Sequence, residues 1–235
     1  MKIYDELADW WPLMSPPEEY ATEAEPVARL LLADIDKMRP RLLELGAGGG
    51  HLASHLKAWF DMTLVDLSPR MLEQSRCLNP NCRHLTGDMR SLRLEERFDA
   101  VLVFDAISHM TTEVDLFARM RTARAHLEPG GVALFCPDWT VQCFAPATST
   151  GGIDGPECGM RYLEWTQPEI HGTTYASDLV YLLREADGTR RVADDRMVLG
   201  IFPRGTWTRL LTDAGFGQVA VAEQSGRDVF QAIAA

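Results

Sequence analysis

Arg41-Leu42-Leu43-Glu44-Leu45 is a short apolar run that ends directly in Gly46-Ala47-Gly48-Gly49-Gly50. The run reads as a strand, and the glycines as a loop where a ligand lies against bare backbone. A dinucleotide fingerprint, Gly-x-Gly-x-x-Gly, fails because its third glycine position, counted from Gly46, is His51. The repeat that fits is Glu-x-Gly-x-Gly-x-Gly, from Glu44 to Gly50. A phosphate loop is excluded, since no Gly-Lys-Ser/Thr follows.

Outward from this loop, strands and helices alternate. Residues 51–59 and 69–78 read as helices, with Pro69 in the first turn of the second. Residues 62–66, 82–85, 98–105 and 132–136 read as strands, and 112–127 as a helix ended by Pro129-Gly130-Gly131. Before the loop, Ala21, Ala24, Val27, Ala28, Leu31 and Leu32 keep helical spacing, and Pro40 stops the pattern. This alternation gives an α/β fold, a doubly wound parallel sheet with ligands at the carboxyl ends of its strands.

The pattern changes after Asp138. Residues 140–160 are rich in Gly, Thr, Pro and Ala and read as a connection. Strand runs follow at Tyr162–Trp165, Leu179–Leu183 and Met197–Leu199, with a hairpin signal at Asp187-Gly188. They predict a small antiparallel β insert. A helix at 207–214 and two strand runs, 218–223 and 229–234, close the chain.

The 235 residues carry 23 basic and 34 acidic side chains, a net charge of −11. That sign argues against nucleic acid and against anionic membrane surfaces as partners. The apolar runs fall far short of the ~20 residues of a membrane span. The start lacks the basic and apolar regions of a secretory signal, and the five cysteines are an odd number. A cytoplasmic setting with free thiols is expected. No metal is expected: Cys77, Cys82 and His84 lack a fourth ligand, and His51 and His55 lack a third.

Three acids sit where a bound nucleoside would need them. Asp66 ends the second strand and suits a ribose diol. Asp88, in Gly87-Asp88-Met89, follows the third strand and suits an adenine amino group. Phe104-Asp105 ends the fourth, under the reactive end of the ligand.

With these pieces in place the sequence resembles the class I S-adenosylmethionine-dependent methyltransferases. The matched segments are Glu44–Gly50, Val65-Asp66-Leu67-Ser68, Gly87-Asp88-Met89, Phe98-Asp99-Ala100-Val101 and Leu127-Glu128-Pro129-Gly130-Gly131. The resemblance implies a Rossmann-like seven-stranded sheet with an antiparallel last strand. It implies S-adenosylmethionine as cofactor, leaving as S-adenosylhomocysteine. The implied cofactor contacts are Tyr20, Glu44, Gly46, Ala47, Gly48, Gly50, Asp66, Leu67, Met71, Gly87, Asp88, Met89 and Phe104.

Tyr20-Ala21-x-Glu23-Ala24, Ser108-His109-Met110, the insert and Ser225-Gly226-Arg227 look like the small-molecule N-methyltransferases that dimethylate amino sugars. The arm at Trp10-Trp11-Pro12-Leu13 is longer than in that group. One domain is expected over 1–235. It divides into an N-terminal arm and helix acting as a lid (1–40), a cofactor-binding core (41–138), a substrate-side insert (139–202) and closing elements (203–235). Whether the insert pairs two copies into a homodimer is left open.

A methyl group on a sulfonium is already activated, so alignment of a small-molecule acceptor does most of the catalytic work. His109 is the first candidate for a base or acceptor, with an unperturbed pKa of ~6.5. Asp105 and Asp138 are the second and third. Transfer to oxygen competes with transfer to nitrogen, and a non-catalytic binding protein is the other class.

Overall fold

The computed structural model describes residues 1–235. The chain enters through 3-10 turns at Lys2–Tyr4 and Ala8–Trp10, the single-turn helix α1 (Trp11–Met14), another 3-10 turn at Pro17–Tyr20, and α2 (Ala21–Leu32). Then come β1 (Arg41–Leu45), α3 (His51–Leu56), β2 (Asp61–Asp66), α4 (Pro69–Leu78), β3 (Arg83–Thr86) and β4 (Phe98–Phe104). A 3-10 turn at Ala106–His109, α5 (Glu113–Ala125) and β5 (Leu127–Cys136) complete this part. β6 (Thr148–Gly151), β7 (Gly159–Thr166), β8 (Thr174–Arg184) and β9 (Arg190–Gly200) follow. The chain ends with α6 (Arg204–Asp213), β10 (Phe216–Gln224) and β11 (Arg227–Ala234).

Seven strands form one sheet in the order β10-β11-β5-β4-β1-β2-β3. β11 runs antiparallel to both neighbours, and the other pairings are parallel. All seven residues of β4 are buried, as expected of a central parallel strand covered on both faces. The chain moves from β1 to β3 in one direction, then returns to place β4 beside β1. The ends of β1 and β4 therefore flank the switch point, where a crevice opens. Local chemistry starts the helices that frame it. Ser68 Oγ accepts from the Met71 N–H with Pro69 at the first turn of α4, and Thr112 Oγ1 accepts from the Asp115 N–H at α5.

One apolar core lies on each face of this sheet. A third joins the N-terminal arm (Ile3, Leu7, Trp10) to the inner face of the insert (Tyr175, Leu179, Leu199). The arm thus packs on the insert, not on the main sheet.

The insert is a four-stranded antiparallel sheet, β6-β7-β8-β9. It has one strand more than its apolar runs suggest. Thr148–Gly151 pairs with Tyr162–Trp165 inside the segment expected to be a connection. Its residues are small, polar and mostly exposed, so no apolar run announced it. α3 ends at Leu56, ahead of Trp59, and β5 begins at Leu127, ahead of Pro129.

Candidate active site

A cavity of about 1160 Å³ opens at the carboxyl ends of β1, β2, β4 and β5, under the N-terminal arm and the insert. The glycine loop forms its floor. Gly46 and Ala47 donate to the Val65 carbonyl at 2.7 and 2.9 Å, tying the loop to β2. Gly46 has φ +84°, and a Cβ there would lie 2.4 Å from Ala106 Cβ and 2.9 Å from Met89 Cε. No other residue fits at that position.

Asp66 is fixed from both sides. Its Oδ2 accepts from the Gly48 N–H at 2.9 Å, and its Oδ1 from the Ser68 N–H at 2.8 Å. Each oxygen keeps a lone pair toward the cavity. Burial still raises its pKa, against these N–H groups and the field of Arg119. Glu44, at the end of β1, is 3% exposed and its Oε2 has no partner. Burial, then Asp66 and Asp105, push it up to about 8. An orphaned buried carboxyl beside a glycine floor suits a ligand that brings an ammonium group.

Tyr20, Ala47, Leu67, Met71, Met89 and Phe104 also line the cavity. Gly50 and Gly87 do not. Gly50 is the left-handed residue before α3, and a Cβ there would meet Ser75 Oγ at 2.2 Å. Its absence lets α3 approach α4. Gly87 is packed against Leu92 and Val65. Asp88 reaches the cavity but is engaged by Arg90, whose Nη2 lies 2.7 Å from Oδ2. That guanidinium holds the Asp88 carboxyl below the usual range.

On the other side of the cavity stand Asp105, His109 and Asp138. Asp105 has φ +38°, a strained conformation for a residue with a side chain. The strain is held by two bonds. Arg227 Nη1 donates to Oδ1 at 2.5 Å, and the Ser108 N–H donates to the Asp105 carbonyl at 2.8 Å. Arg227 also donates to Glu23 and lies 4.8 Å over the Phe104 ring. The Asp105 side chain is 41% exposed, and that surface faces the cavity. Burial raises Asp105, and so does Asp138, against the pull of Arg227. Asp138 is likewise raised by burial, and its N–H donates to Ser108 Oγ at 3.1 Å.

His109 sits edge-on to Tyr4, with ring centroids 5.6 Å apart. Burial, then Arg119, lower its pKa to about 4. It is neutral at pH 7 but a much weaker base than an imidazole titrating near ~6.5.

Further groups complete the cavity wall. Trp11 stacks on His51 at 6.0 Å, and Tyr20 meets the same ring edge-on at 5.9 Å. His51 therefore belongs to the wall, packed against these two rings. From the insert, Glu164 and Tyr175 face inward, whereas Tyr181 is buried in the third core and His171 lies exposed in a turn. Arg119, from α5, is fully buried and none of its three nitrogens has a partner. Its Nη2 lies 3.5 Å from where a Gly46 Cβ would stand, and burial lowers it to about 9. It stays charged under the loop, in the field of Asp66 and Asp88.

The family model for the methyltransferase domain matches residues 42–131. The chain is 28% identical to a dTDP-3-amino-3,4,6-trideoxy-alpha-D-glucopyranose N,N-dimethyltransferase from Streptomyces venezuelae, over 93% of this chain and 92% of that one. Its fold superposes on the crystal structure of Streptomyces venezuelae DesVI with a TM-score of 0.82, at 25% identity, covering 100% of this chain and 98% of that one. It superposes on S-adenosylmethionine-bound CalS10, an amino pentose methyltransferase from Micromonospora echinaspora, with a TM-score of 0.79, at 26% identity and 92% coverage of both chains. The glycine floor, the doubly held Asp66 and the orphaned Glu44 fit the nucleoside and amino-acid ends of such a cofactor. The chain carries a methyltransferase domain over residues 42–131 and is similar, over nearly its whole length, to S-adenosylmethionine-dependent amino-sugar N-methyltransferases.

Proposed function

We propose that the enzyme transfers a methyl group to an amine nitrogen of a small molecule, such as that of an amino sugar. The observation that carries this reading is the continuity of one cavity from the Gly46–Gly48 floor to the Asp105–Asp138 carboxyl pair. Similarity to enzymes named as amino-sugar N,N-dimethyltransferases supports it.

S-adenosylmethionine supplies an activated methyl group on a sulfonium sulfur. In this reading Gly46, Ala47, Gly48, Asp66, Leu67, Met71, Asp88 and Met89 hold it, and Glu44 receives its ammonium. Tyr20 and Phe104 close over it. An amine acceptor arrives mostly protonated and must lose a proton before its lone pair can attack. Burial raises the pKa of Asp105 and of Asp138, which makes each, in its ionised form, a stronger base to take that proton. Arg227 keeps Asp105 aimed at the cavity. His109, neutral and weakly basic, orients the acceptor by accepting a hydrogen bond.

Residues 1–40 act as the lid and 139–202 as the acceptor-side wall. No helix is long and apolar enough to cross a membrane, and the five free thiols support a cytoplasmic setting. The exposed outer face of the insert, with Trp165, Leu182 and Val192, supports a homodimer formed there. The net charge of −11 leaves nucleic acid outside the reading. The test is an initial-rate comparison with methyl-labelled S-adenosylmethionine on acceptor pairs that differ only in an amine or a hydroxyl. The amine member is expected to be methylated at least ~10-fold faster, a difference of 1.4 kcal/mol in the barrier. Equal or reversed rates would favour oxygen transfer.

A further inference from the structure

Arg119, on α5, is fully buried, and its Nε, Nη1 and Nη2 have no hydrogen-bond partner. Buried guanidinium groups ordinarily pair, because an unpaired buried charge is strongly destabilising. This one lies beneath the glycine floor, with Nη2 3.5 Å from the place a Gly46 Cβ would take, beside Ala106 and Met89. Gly46 and Ala47 donate to the Val65 carbonyl, so the guanidinium lies under the junction of that loop with the β2 end that carries Asp66.

The elements around Asp66 bring many charges. β1 brings Glu44, the β4 end Asp105, and the segment after β3 Asp88 and Arg90. The arm brings the Met1 α-ammonium and Asp5, and α4 brings Arg70, 4.0 Å from Asp5. His51 and His109 are both shifted toward the neutral form by burial. Of all these charges Arg119 acts most strongly on Asp66, lowering a carboxyl that burial raises. Asp88 has its own partner in Arg90, whereas Asp66 accepts from the Gly48 and Ser68 N–H groups.

A ligand seated on the floor dries Asp66 further, which favours the neutral carboxyl. A cation held below the floor opposes that. A direct ion pair would do so too, but it would occupy the lone pairs that face the cavity. In the free protein the arrangement is unfavourable, since burial lowers Arg119 against the attraction of Asp66 and Asp88.

We infer that Arg119 is a positioning residue for the cofactor, a buried cation that keeps Asp66 ionised beneath the bound ligand and leaves its cavity-side lone pairs free. This rests on the placement of S-adenosylmethionine over Gly46–Gly48 and not on the identity of the acceptor. S-adenosylhomocysteine is titrated by calorimetry into the wild type and Arg119→Met at pH 5.5, 6.5 and 8. The variant is expected to bind ~10-fold more weakly at pH 5.5 and within ~3-fold of the wild type at pH 8, as Asp66 takes up a proton at the acid end. In an Asp66→Asn background the same replacement should give a ratio that is flat with pH, which separates Asp66 from Glu44, His51 and His109. The free Arg119→Met protein should melt at or above the wild-type temperature, because an apolar chain replaces an unpaired charge.

A ratio that does not grow toward acid, or that grows equally in the Asp66→Asn background, would overturn the inference. So would the loss of cooperative melting in Arg119→Met, which would make Arg119 a structural residue. A wild type that binds no S-adenosylhomocysteine would remove the cofactor placement and the inference with it. Binding without methylation of any amine would fail the nitrogen-transfer reading alone.

Discussion

Replacing Asp66 by asparagine isolates one carboxylate at the floor of the cavity. The two side chains have the same shape, but an asparagine has one oxygen where Asp66 has two. In the wild type those oxygens accept from the Gly48 and Ser68 N–H groups at 2.9 and 2.8 Å. The variant can satisfy only one of these donors and turns its NH2 toward the other. It also loses the ionised acceptor that faces the nucleoside. A hydrogen bond to a charged group contributes about 1.5–3 kcal/mol. At 1.4 kcal/mol per decade, S-adenosylhomocysteine should bind roughly 10- to 150-fold more weakly. The assay is calorimetric titration at pH 7, with circular dichroism melting of the free protein as the control. Melting should fall modestly, by the ~1–3 kcal/mol of one unsatisfied buried donor. Affinity unchanged within threefold, in a protein that still melts cooperatively, would show that Asp66 does not face the ligand.

Glu44→Gln should remove a pH dependence of the free protein. The folded pKa of Glu44, about 8, lies above its unfolded value of 4.5. Its contribution is therefore fully present below pH 4.5 and is lost as pH rises through 8. That amounts to a few kcal/mol at most. Melting temperature measured from pH 5 to 8.5 should fall in the wild type and flatten in the variant. His109→Ala should lower kcat while leaving S-adenosylhomocysteine affinity nearly unchanged, and the wild-type kcat profile should show no inflection near ~6.5. An inflection there that vanishes in the variant would mean that His109 is solvated and acts as an ordinary base. Arg227→Met strands Asp105 and Glu23, so the Asp105 carboxyl should rise further and the rate profile move to higher pH. Arg227→Lys should restore charge but not the two-carboxylate fork, leaving kcat well below the wild type. Gly46→Ala should destabilise the protein by ~1 kcal/mol or more, from its φ of +84° and the Cβ contact with Ala106, as read by chemical denaturation.

The side of the cavity around the glycine loop was legible because its residues are local. Glu44, Gly46 and Gly48 lie in one turn, and Asp66, Asp88 and Asp105 each follow a recognisable strand. The side around Asp105 and Asp138 was only partly so. Asp105, His109 and Asp138 carry strand-end signals, but Arg227 reaches Asp105 across 122 residues and Glu23 across 204. No sequence pattern couples positions that far apart. The place of His51 on the wall is not legible either, because its helical spacing does not reveal that Trp11 folds back over it. Arg119 reads as one more charge on α5, and only the packing shows that it points inward beneath Gly46. β6 lacked an apolar run because one face of the insert edge is solvent, so pairing with β7 defines it rather than burial.

The most direct test of nitrogen transfer is to run the reaction with S-adenosylmethionine carrying a ¹³C-methyl group and a simple amino sugar, and to read the product by NMR. The label is expected on nitrogen, with one S-adenosylhomocysteine formed for each methyl transferred. A label found on oxygen would contradict the account. So would no transfer to any amine by a protein that binds S-adenosylhomocysteine.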